Sequence, residues 1–467
     1  MSIPGLATSI SRTVTLSPAW EWRFEIPIGA SLTVKLLSGT AEKDGVELAP
    51  RTAYTLAGQK SRLLSWHGCE LEVSGRTASE AVASYARAAD NPATAVVNLH
   101  AYLSEMRAAA SPTTNTTTTT TNTTAAAAAA SAETRPGPRV LVAGAPGTGK
   151  TTLARTLVSY AARQGAHVVA VNVDPAEGML SLAGTLSAAV YATPADAEAR
   201  DGWGATPTSG ASAASVKTPV VYALGRQRAG DGGDGGRAFR QLVGRLAGAV
   251  SGRLSEDAAV RAAGVVVDSM GVEEEAGGEG SEDGVELLAH VVDELSINVV
   301  VVLGSPGLHA VLAKRFASER TSLGEVIQVV PLDKSDGVAE RDETYMRYFR
   351  EATIKEYFFG DARRTLSPQI QQVDFDSVLI YKVADDGGLV REEPSSIMQH
   401  WTLAVMHASL REPPEVVRVA NVMGFVYVAD VDEERRKVKI LAPVGGRLGD
   451  KPMIWGRWPE PYINLLG

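Results

Sequence analysis

The amino-acid sequence predicts an α/β protein in which a central domain with a doubly wound parallel sheet is flanked by an N-terminal β-sandwich and a small C-terminal β-rich domain. Three observations predict this arrangement. The middle of the chain reads as apolar strand, Gly-rich turn, amphipathic helix and apolar strand, which is the opening of a parallel sheet covered by helices. Short strand patterns precede and follow this unit, and a Thr- and Ala-rich tract separates the first of them from it.

The composition limits the possible functions. Of the 467 residues, 45% are apolar and 21% charged, and no apolar run approaches the length needed to cross a bilayer, so we expect a globular protein without a membrane partner. Cys69 is the only cysteine, and the first residues lack the basic start and apolar stretch of a secretory signal, which indicates a reducing compartment. A net charge of −9 argues against a broad surface that tracks nucleic-acid phosphates but leaves room for a small basic cleft.

Residues 1–108 are predicted to form the β-sandwich and a trailing helix. Aromatic and β-branched residues alternate with polar ones in WEWRFEI, SLTVKLLSG and SRLLSWHGCELEVSG, and helical spacing follows with a break at Asn91-Pro92. Residues 109–137 contain the tract SPTTNTTTTTTNTTAAAAAASAETRPGP, which has too little apolar side chain to form a core. We therefore expect a low-complexity linker there.

Residues 138–369 are predicted to form the central domain. The runs GVVVD and NVVVVLG are continuously apolar and bounded by turns, as expected of parallel strands that are buried on both faces. The segment GDGGDGGRA near Asp231 is expected to be a flexible surface insertion because of its glycines. Residues 370–467 return to alternating strand patterns, as in NVMGFVYVADVD, and are predicted to form the β-rich domain.

The strongest motif lies in the central domain and defines it as a P-loop domain. Gly144, Gly149, Lys150 and Thr151 match G-x-x-x-x-G-K-[ST] between the strand RVLVAG and the helix TTLARTLVSYAA. Such a loop points backbone N–H groups at phosphates, while the lysine reaches the β and γ phosphates and the Thr hydroxyl binds Mg²⁺. The residues predicted to contact a nucleoside triphosphate are Gly147, Thr148, Gly149, Lys150, Thr151 and Thr152.

Two carboxylates follow apolar strands of the same domain. Asp174 ends HVVAVNVD and Asp268 ends GVVVD, so both are expected at the carboxyl edge of the sheet, where ligands bind in open α/β folds. There a carboxylate can orient Mg²⁺ or accept a proton from an attacking hydroxyl. The alternative is a helix cap or turn residue. The local sequence favours neither interpretation for Asp174 and favours the metal ligand for Asp268.

A charged segment late in the domain, LDKSDGVAERDETYMRYFREATIKEYFFG, carries Lys334, Arg341 and Arg347. In many phosphoryl-transfer enzymes such a segment is a lid whose arginines stabilise charge on the transferred group. The alternative is a solvated helix face with ion pairs along it.

The order of WEWRFEI, SWHGCELEVSG, the P-loop, NVDPAEG, TPTSG, KSDGVAER, KEYFFG and LAPVGGRL resembles a known family across nearly the whole chain. These are the polynucleotide 5′-hydroxyl kinase relatives that serve as the ATP-binding subunit of the pre-mRNA cleavage and polyadenylation machinery. The resemblance implies that ATP and Mg²⁺ lie between the first two domains, with Glu21 and Lys60 near the base. It also implies a nuclear protein that binds the cleavage factor IA scaffold subunit, which contacts the RNA polymerase II tail, and other 3′-end processing subunits, with pre-mRNA contacted indirectly or weakly.

Three departures make the chain more similar to the fungal-type members, which hold ATP without turning it over. Active kinases of the family carry an RNA-stacking tryptophan where this chain has Val272, and stacking is worth roughly 1–3 kcal/mol per base. Their second lid arginine falls on or beside Met346, which leaves Arg347 as a shifted candidate. Pro175 and Glu177 replace a small residue and a glutamine, and a carboxylate that faces phosphates is unfavourable.

The resemblance therefore predicts an ATP-binding subunit required for cleavage and assembly, in which ATP is bound largely without turnover. The alternative is an active RNA 5′-hydroxyl kinase, in which Asp174 and Arg341 would be catalytic. A regulatory GTPase or a transport ATPase is disfavoured, because VVPLDKSD is only a partial match to a guanine-reading N/T-K-x-D motif.

Overall fold

The computed structural model describes residues 11–110, 136–204, 218–273, 280–361, 365–445 and 449–466. It contains two β-rich regions on either side of a helix-covered central sheet, which confirms the predicted fold class. Most of the predicted linker, and the motif TPTSG, lie outside the described residues. Among the described helices, none combines the length and the apolar character that crossing a bilayer requires.

The helices are α1 (Ala93–Ala110), α2 (Lys150–Arg163), α3 (Arg237–Glu256), α4 (Ala258–Ala263), α5 (Glu282–Glu294), α6 (Pro306–Phe316), α7 (Glu343–Phe359) and α8 (Pro414–Arg418). The strands before the P-loop are β1 (Ser11–Leu16), β2 (Trp20–Glu25), β3 (Ser31–Gly39), β4 (Glu42–Lys43), β5 (Val46–Glu47), β6 (Ala53–Ala57), β7 (Lys60–Ser65), β8 (Cys69–Gly75) and β9 (Ser79–Ala83). The central strands are β10 (Arg139–Gly144), β11 (Val168–Asn172), β12 (Thr185–Tyr191), β13 (Val220–Ala223), β14 (Val265–Asp268), β15 (Val299–Leu303) and β16 (Gln328–Leu332). The last strands are β17 (Gln369–Asp374), β18 (Ile380–Val383), β19 (Leu389–Glu392), β20 (Thr402–Met406), β21 (Val422–Asp432), β22 (Lys437–Ala442) and β23 (Met453–Trp455).

The N-terminal region is a sandwich of two antiparallel sheets, in the orders β1-β8-β3-β6 and β5-β4-β7-β2-β9. The period-2 pattern of β3 buries Leu32, Val34 and Leu36 against Trp22 of the facing sheet. The second sheet contributes Lys43 of β4 and Lys60 of β7 to the boundary with the central domain. The sandwich thus presents polar side chains to its neighbour while its own core lies between its sheets.

The central sheet has the order β13-β12-β11-β14-β10-β15-β16. Successive residues of β10 enter opposite cores: Val140 and Val142 pack with α1 and α2, whereas Leu141 and Ala143 pack with α3, α5 and α6. Strands β11, β14, β10, β15 and β16 are parallel, as predicted. Strand β12 runs antiparallel to β11, because the connection from β11 to β12 contains no helix that could carry the chain back across the sheet. The edge strand β13 pairs antiparallel with β12 and so runs in the same direction as β11.

The C-terminal region is a seven-stranded sheet in the order β17-β22-β21-β20-β23-β18-β19. Its apolar face packs on the central domain through a cluster that joins Val221 of β13, Ile354 and Phe358 of α7, and Tyr427 of β21. This contact leaves the carboxyl edge of the central sheet open toward the sandwich.

The Gly-rich segment near Asp231 lies at the surface, as its composition predicts, but contacts of its side chains and backbone anchor it. The Asp234 carboxylate is buried, where it accepts hydrogen bonds from Arg226 Nη1 at 2.9 Å and from the backbone N–H of Ala238 at 3.1 Å. Gly233 N–H also donates to the carbonyl of Asp385 in the C-terminal region at 3.0 Å. A buried ion pair and a contact between regions hold the segment in place.

Candidate nucleotide-binding cleft

A cavity of about 520 Å³ lies between the sandwich, the P-loop and residues 333–345, which we call the lid segment. Its volume is within the usual range of small-molecule sites. The sandwich contributes Arg23, Glu25, Lys43, Asp44, Gln59, Lys60 and Arg62 to its lining. The central domain contributes Gly147, Thr148, Gly149, Thr151, Thr152, Arg155, Glu177, Arg200 and Asp201, and the lid segment contributes Asp333, Ser335, Glu340, Arg341 and Tyr345.

The P-loop adopts a conformation that requires glycine. At Gly144, φ is 152°, and an added Cβ would lie 2.6 Å from the Leu303 carbonyl oxygen. Gly149 has φ of 97° and immediately precedes α2, so the helix N-terminus opens into the cavity. Thr148 Oγ1 and Lys150 Nζ each donate to the Ala145 carbonyl at 2.9 Å. The lysine is therefore already in the concave side of the loop, where phosphates bind.

Ser305 supports the P-loop and was missed by the sequence reasoning. Its Oγ accepts a hydrogen bond from the backbone N–H of Ala145 at 3.1 Å, and its side chain is buried. Ser305 follows β15, the neighbour of β10 at the carboxyl edge of the sheet. The signal available in the sequence is the turn SPG directly after the apolar run NVVVVLG.

Asp268 lies beneath the P-loop with properties that suit a Mg²⁺ ligand. It is 2% exposed, and within the described part of the chain its Oδ1 has no hydrogen-bond partner. Burial, together with the negative charge of Asp174, raises the pKa of Asp268 to about 7, and the adjacent Thr151 hydroxyl opposes this rise. A cation there would offset the cost of burying the carboxylate.

The described residues contain no group of three or more His, Cys, Asp or Glu side chains that could hold a metal on their own. In P-loop sites Mg²⁺ takes few protein ligands and completes its shell with phosphate oxygens and water. Thr151 and Asp268 therefore fit such an ion in the presence of a nucleotide.

Asp174 combines the two roles that its local sequence leaves open. Its Oδ1 accepts the backbone N–H of Ala176 at 2.9 Å, which is a turn contact. Burial, followed by the nearby Glu177 carboxylate, raises the pKa of Asp174 to about 6, and Lys150 opposes the rise. The raised pKa moves this carboxyl group toward the range suited to accepting a proton.

Glu177 and Arg341 form a two-pronged ion pair between the central domain and the lid segment. The distances are 2.7 Å from Nη2 to Oε1 and 3.3 Å from Nη1 to Oε2. Although burial opposes the effect, Arg341 holds the pKa of Glu177 below its ordinary value. The lid arginine thus lines the cavity but is already bound to a carboxylate.

Glu21 lies behind the cavity wall rather than at its surface. It is fully buried, and it accepts hydrogen bonds from Arg23 Nε and Arg62 Nη1, each at 2.7 Å. The two arginines line the cavity, and Arg23 also reaches Asp336 of the lid segment at 2.7 Å. Glu21 therefore orients arginines that face the cavity, a role that its position in β2 alone did not indicate.

Lys60 lines the cavity and is also tied to the lid segment. Its Nζ donates to the carbonyl of Glu340 at 2.8 Å, and its backbone N–H lies 3.3 Å from the Tyr345 hydroxyl. With the Arg23 contact and the pair between Glu177 and Arg341, the lid segment is attached to both walls of the cavity.

The other candidate positions lie away from the cavity lining. Val272 is 1% exposed and packs in the core below the P-loop, with its N–H bound to the Gly144 carbonyl at 3.1 Å. Arg347 is 56% exposed and pairs with Glu351 at 3.0 Å along α7 and with Glu460 of the C-terminal region at 3.7 Å, so it lies on a charged helix face away from the cavity. Lys334 lies on the exposed side of the lid segment.

Comparisons with known proteins find models of the same family in all three regions of the chain. A family model described as the N-terminal beta-sandwich domain of polyadenylation factor matches residues 15–110. One described as mRNA cleavage and polyadenylation factor CLP1 P-loop matches residues 144–360, and one described as pre-mRNA cleavage complex II protein Clp1 matches residues 366–460. Proteins named mRNA cleavage and polyadenylation factor CLP1 from Pyricularia oryzae and Chaetomium globosum are each 48% identical, with 100% of both chains covered.

Two solved structures share the architecture. The structure of the wild-type Clp1p–Pcf11p complex matches with a TM-score of 0.81 and 26% identity, covering 96% of this chain and 98% of that one. A second structure, on the extended interface between Pcf11p and Clp1p and on ATP loss in a glycine-to-arginine mutant, matches with a TM-score of 0.81 and 26% identity, covering 97% of this chain and 99% of that one.

Proposed function

The chain belongs to the Clp1 family of mRNA cleavage and polyadenylation factors, and we propose that within this role it acts in the nucleus as the subunit that holds ATP and Mg²⁺ largely without turnover. The observation that carries the proposal is the cavity between the P-loop and the sandwich, with the lid segment attached to both walls. A ligand enclosed in this way exchanges slowly and joins two domains. ATP is therefore proposed to act as a structural ligand.

Each part of the nucleotide has a suitable environment. Lys150, Thr151 and Thr152 at the start of α2 would hold the phosphates, and Thr151 with Asp268 would hold Mg²⁺. The bound ion would neutralise phosphate charge. Lys60 and the arginines fixed by Glu21 would surround the remainder of the nucleotide.

The pair between Glu177 and Arg341 supports retention without turnover. An arginine that stabilises charge on the transferred phosphoryl group can be worth a factor of roughly 10³ to 10⁵ in rate. Here that arginine already forms two hydrogen bonds with a carboxylate. The position of the RNA-stacking tryptophan of active kinases is taken by Val272, which lies in the core.

An active RNA 5′-hydroxyl kinase is the second candidate. The observation that favours it is Asp174, whose raised pKa of about 6 and position near Lys150 suit a group that accepts a proton from an attacking hydroxyl. The two candidates share the nucleotide site and differ only in whether the phosphoryl group moves.

A scaffold subunit is the proposed partner. The solved relatives are complexes of Clp1p with Pcf11p, and the match covers nearly all of both chains. We infer that this chain binds a subunit of the same kind, which contacts the RNA polymerase II tail and other 3′-end processing subunits. Because a ligand can fix the relative position of two domains, nucleotide binding is expected to shape the surface that the scaffold recognises.

Purification of the full chain tests nucleotide retention. We expect heat-released ATP and Mg²⁺, identified by chromatography and metal analysis, in near-stoichiometric amounts. The variant Lys150→Ala/Thr151→Ala should contain neither, show no ATP-induced rise in melting temperature and lose scaffold binding in a pull-down. Wild-type protein that is recovered empty and also fails to bind added ATP would refute the proposal.

A further inference from the structure

Lys43 is a buried cation that the site described above does not use. It ends the short strand β4, it is 4% exposed, and it lines the nucleotide cavity. Across the described residues, its ammonium group has no hydrogen-bond acceptor and no carboxylate within ion-pair distance. A buried lysine without a partner is unusual, because a charge that is removed from water normally requires compensation.

The carboxylates nearest to Lys43 are engaged elsewhere. The Asp44 carboxylate forms an ion pair with Arg155 Nη2 at 3.0 Å. Asp201 accepts hydrogen bonds from the backbone N–H groups of Trp203 and Gly204 at 2.9 and 3.2 Å, and its carbonyl accepts Arg155. Asp196, whose charge also acts on Lys43, accepts a hydrogen bond from the backbone N–H of Glu198 at 2.9 Å. The Lys43 side chain itself lines the cavity.

The position along α2 identifies which part of the ligand lies nearby. Arg155, which pairs with Asp44, also donates to Thr152 Oγ1 at 3.3 Å. It lies one helical turn beyond Thr151, or roughly 6 Å along the axis at about 1.5 Å per residue. Since phosphates bind at the N-terminus of such a helix, Asp44, the neighbour of Lys43, is held beside the helix one turn beyond the phosphate end.

We propose that Lys43 donates a hydrogen bond to an acceptor on the nucleoside part of the bound nucleotide, and so contributes to both affinity and ligand choice. This inference rests on the proposed nucleotide binding. Burial lowers the pKa of Lys43, which is consistent with a group that lacks a partner until the ligand arrives. The lysine therefore destabilises the empty protein and stabilises the complex.

A variant without the Lys43 charge should therefore gain stability as the empty protein and lose affinity for ATP, and both effects can be measured. In nucleotide-stripped full-length protein, Lys43→Met should raise the melting temperature without ligand, because an apolar side chain of similar length replaces a buried charge. The same variant should bind ATP about 10-fold more weakly by titration calorimetry. Its affinity for inorganic triphosphate should be unchanged, because the contact is to the nucleoside. Lys35→Met, which replaces an exposed lysine of the same domain, should alter none of these quantities.

The alternative outcomes separate this inference from the proposed function. Equal affinity of wild type and Lys43→Met for ATP would overturn it, whatever happens to the melting temperature. An equal loss of affinity for ATP and triphosphate would also overturn it, because the contact would then be to phosphate. If wild type itself binds no ATP, the proposed function has failed, and this inference fails with it.

Discussion

The central domain meets its two β-rich neighbours in opposite ways. Toward the sandwich the contact includes ion pairs, such as Arg155 with Asp44 and Arg163 with Glu42, but it also encloses a cavity of about 520 Å³ lined by charged side chains. Toward the C-terminal region it is filled by apolar side chains of β13, α7 and the last sheet. Arg418 is buried there and donates to the carbonyls of Ala223 and Leu224, and Arg226 donates to those of Ala384 and Asp385.

The difference indicates which contact depends on a ligand. An apolar interface with satisfied buried donors is stable by itself. An interface that surrounds a polar cavity is completed only when something fills it. The sandwich and lid segment should therefore respond to nucleotide, whereas the C-terminal region should behave as a fixed part of the central domain.

The largest expected effect is at the apolar contact between the central domain and the C-terminal region. Arg350 is 2% exposed on α7, pairs with the buried Glu460 at 2.7 Å, and lies over the Trp458 ring. Arg350→Ala leaves Glu460 without its buried partner and should lower the free energy of unfolding by about 3–5 kcal/mol, measured by chemical denaturation. Lys355→Ala, on an exposed face of the same helix, should cost at most about 1 kcal/mol. Equal effects would contradict a buried, permanent interface.

A second prediction concerns the contact between the central domain and the sandwich, which surrounds the cavity. At ATP concentrations 100 times the dissociation constant, binding stabilises the fold by about 2.7 kcal/mol, so hydrogen exchange in β7 and the lid segment should slow by up to about 100-fold. Exchange in β20, β21 and β22 should change little, because their contacts do not involve the cavity. Uniform protection of both β-rich regions would remove the distinction between the two interfaces.

A smaller effect is expected at the lid. Glu177→Gln removes the charge that holds Arg341, which should speed release of a fluorescent ATP analogue by about 3- to 5-fold, since a partly exposed ion pair is worth up to about 1 kcal/mol. Stopped-flow displacement measures this rate. Glu434→Gln, an exposed carboxylate of the C-terminal region that does not line the cavity, is the control. Slower release from Glu177→Gln would mean that Arg341 binds the nucleotide once it is freed.

The smallest effect is expected from the Thr- and Ala-rich tract. Removal of residues 111–130 should leave the melting temperature and nucleotide retention unchanged, because the tract has nothing apolar to bury and loop length costs only about 0.6 kcal/mol per doubling. Thermal scanning of the deletion variant measures this. A fall of more than a few degrees would show that the tract packs against one of the two interfaces.

Much of the fold could be predicted because its signals are local. The apolar runs at β14 and β15 and the Gly-rich turn before α2 define the central sheet, and the predicted family is confirmed. The direction of β12 was not available from its apolar pattern, because a buried strand reads the same in either direction. In the same way, composition alone could not show that Asp234 is buried by Arg226.

The candidate site likewise contains residues that local motifs indicate and residues that only the fold brings together. Lys150, Thr151 and Asp268 belong to motifs that are contiguous with their strands, so the sequence indicates them. Lys43 and Arg23 read as ordinary charges on short β-strands, and only the folded chain brings them to the cavity. The pairing of Glu177 with Arg341 joins residues 164 positions apart, which no local pattern records.

The most direct test of the account is incubation of the purified full chain with γ-labelled ATP and an oligoribonucleotide that bears a free 5′-hydroxyl. The protein is expected to retain ATP but to transfer no label above background, because Arg341 is held by Glu177 and Val272 stands where active kinases of the family carry an RNA-stacking tryptophan. Robust labelling by the wild type that disappears in Asp174→Ala would contradict this account and establish an active RNA kinase.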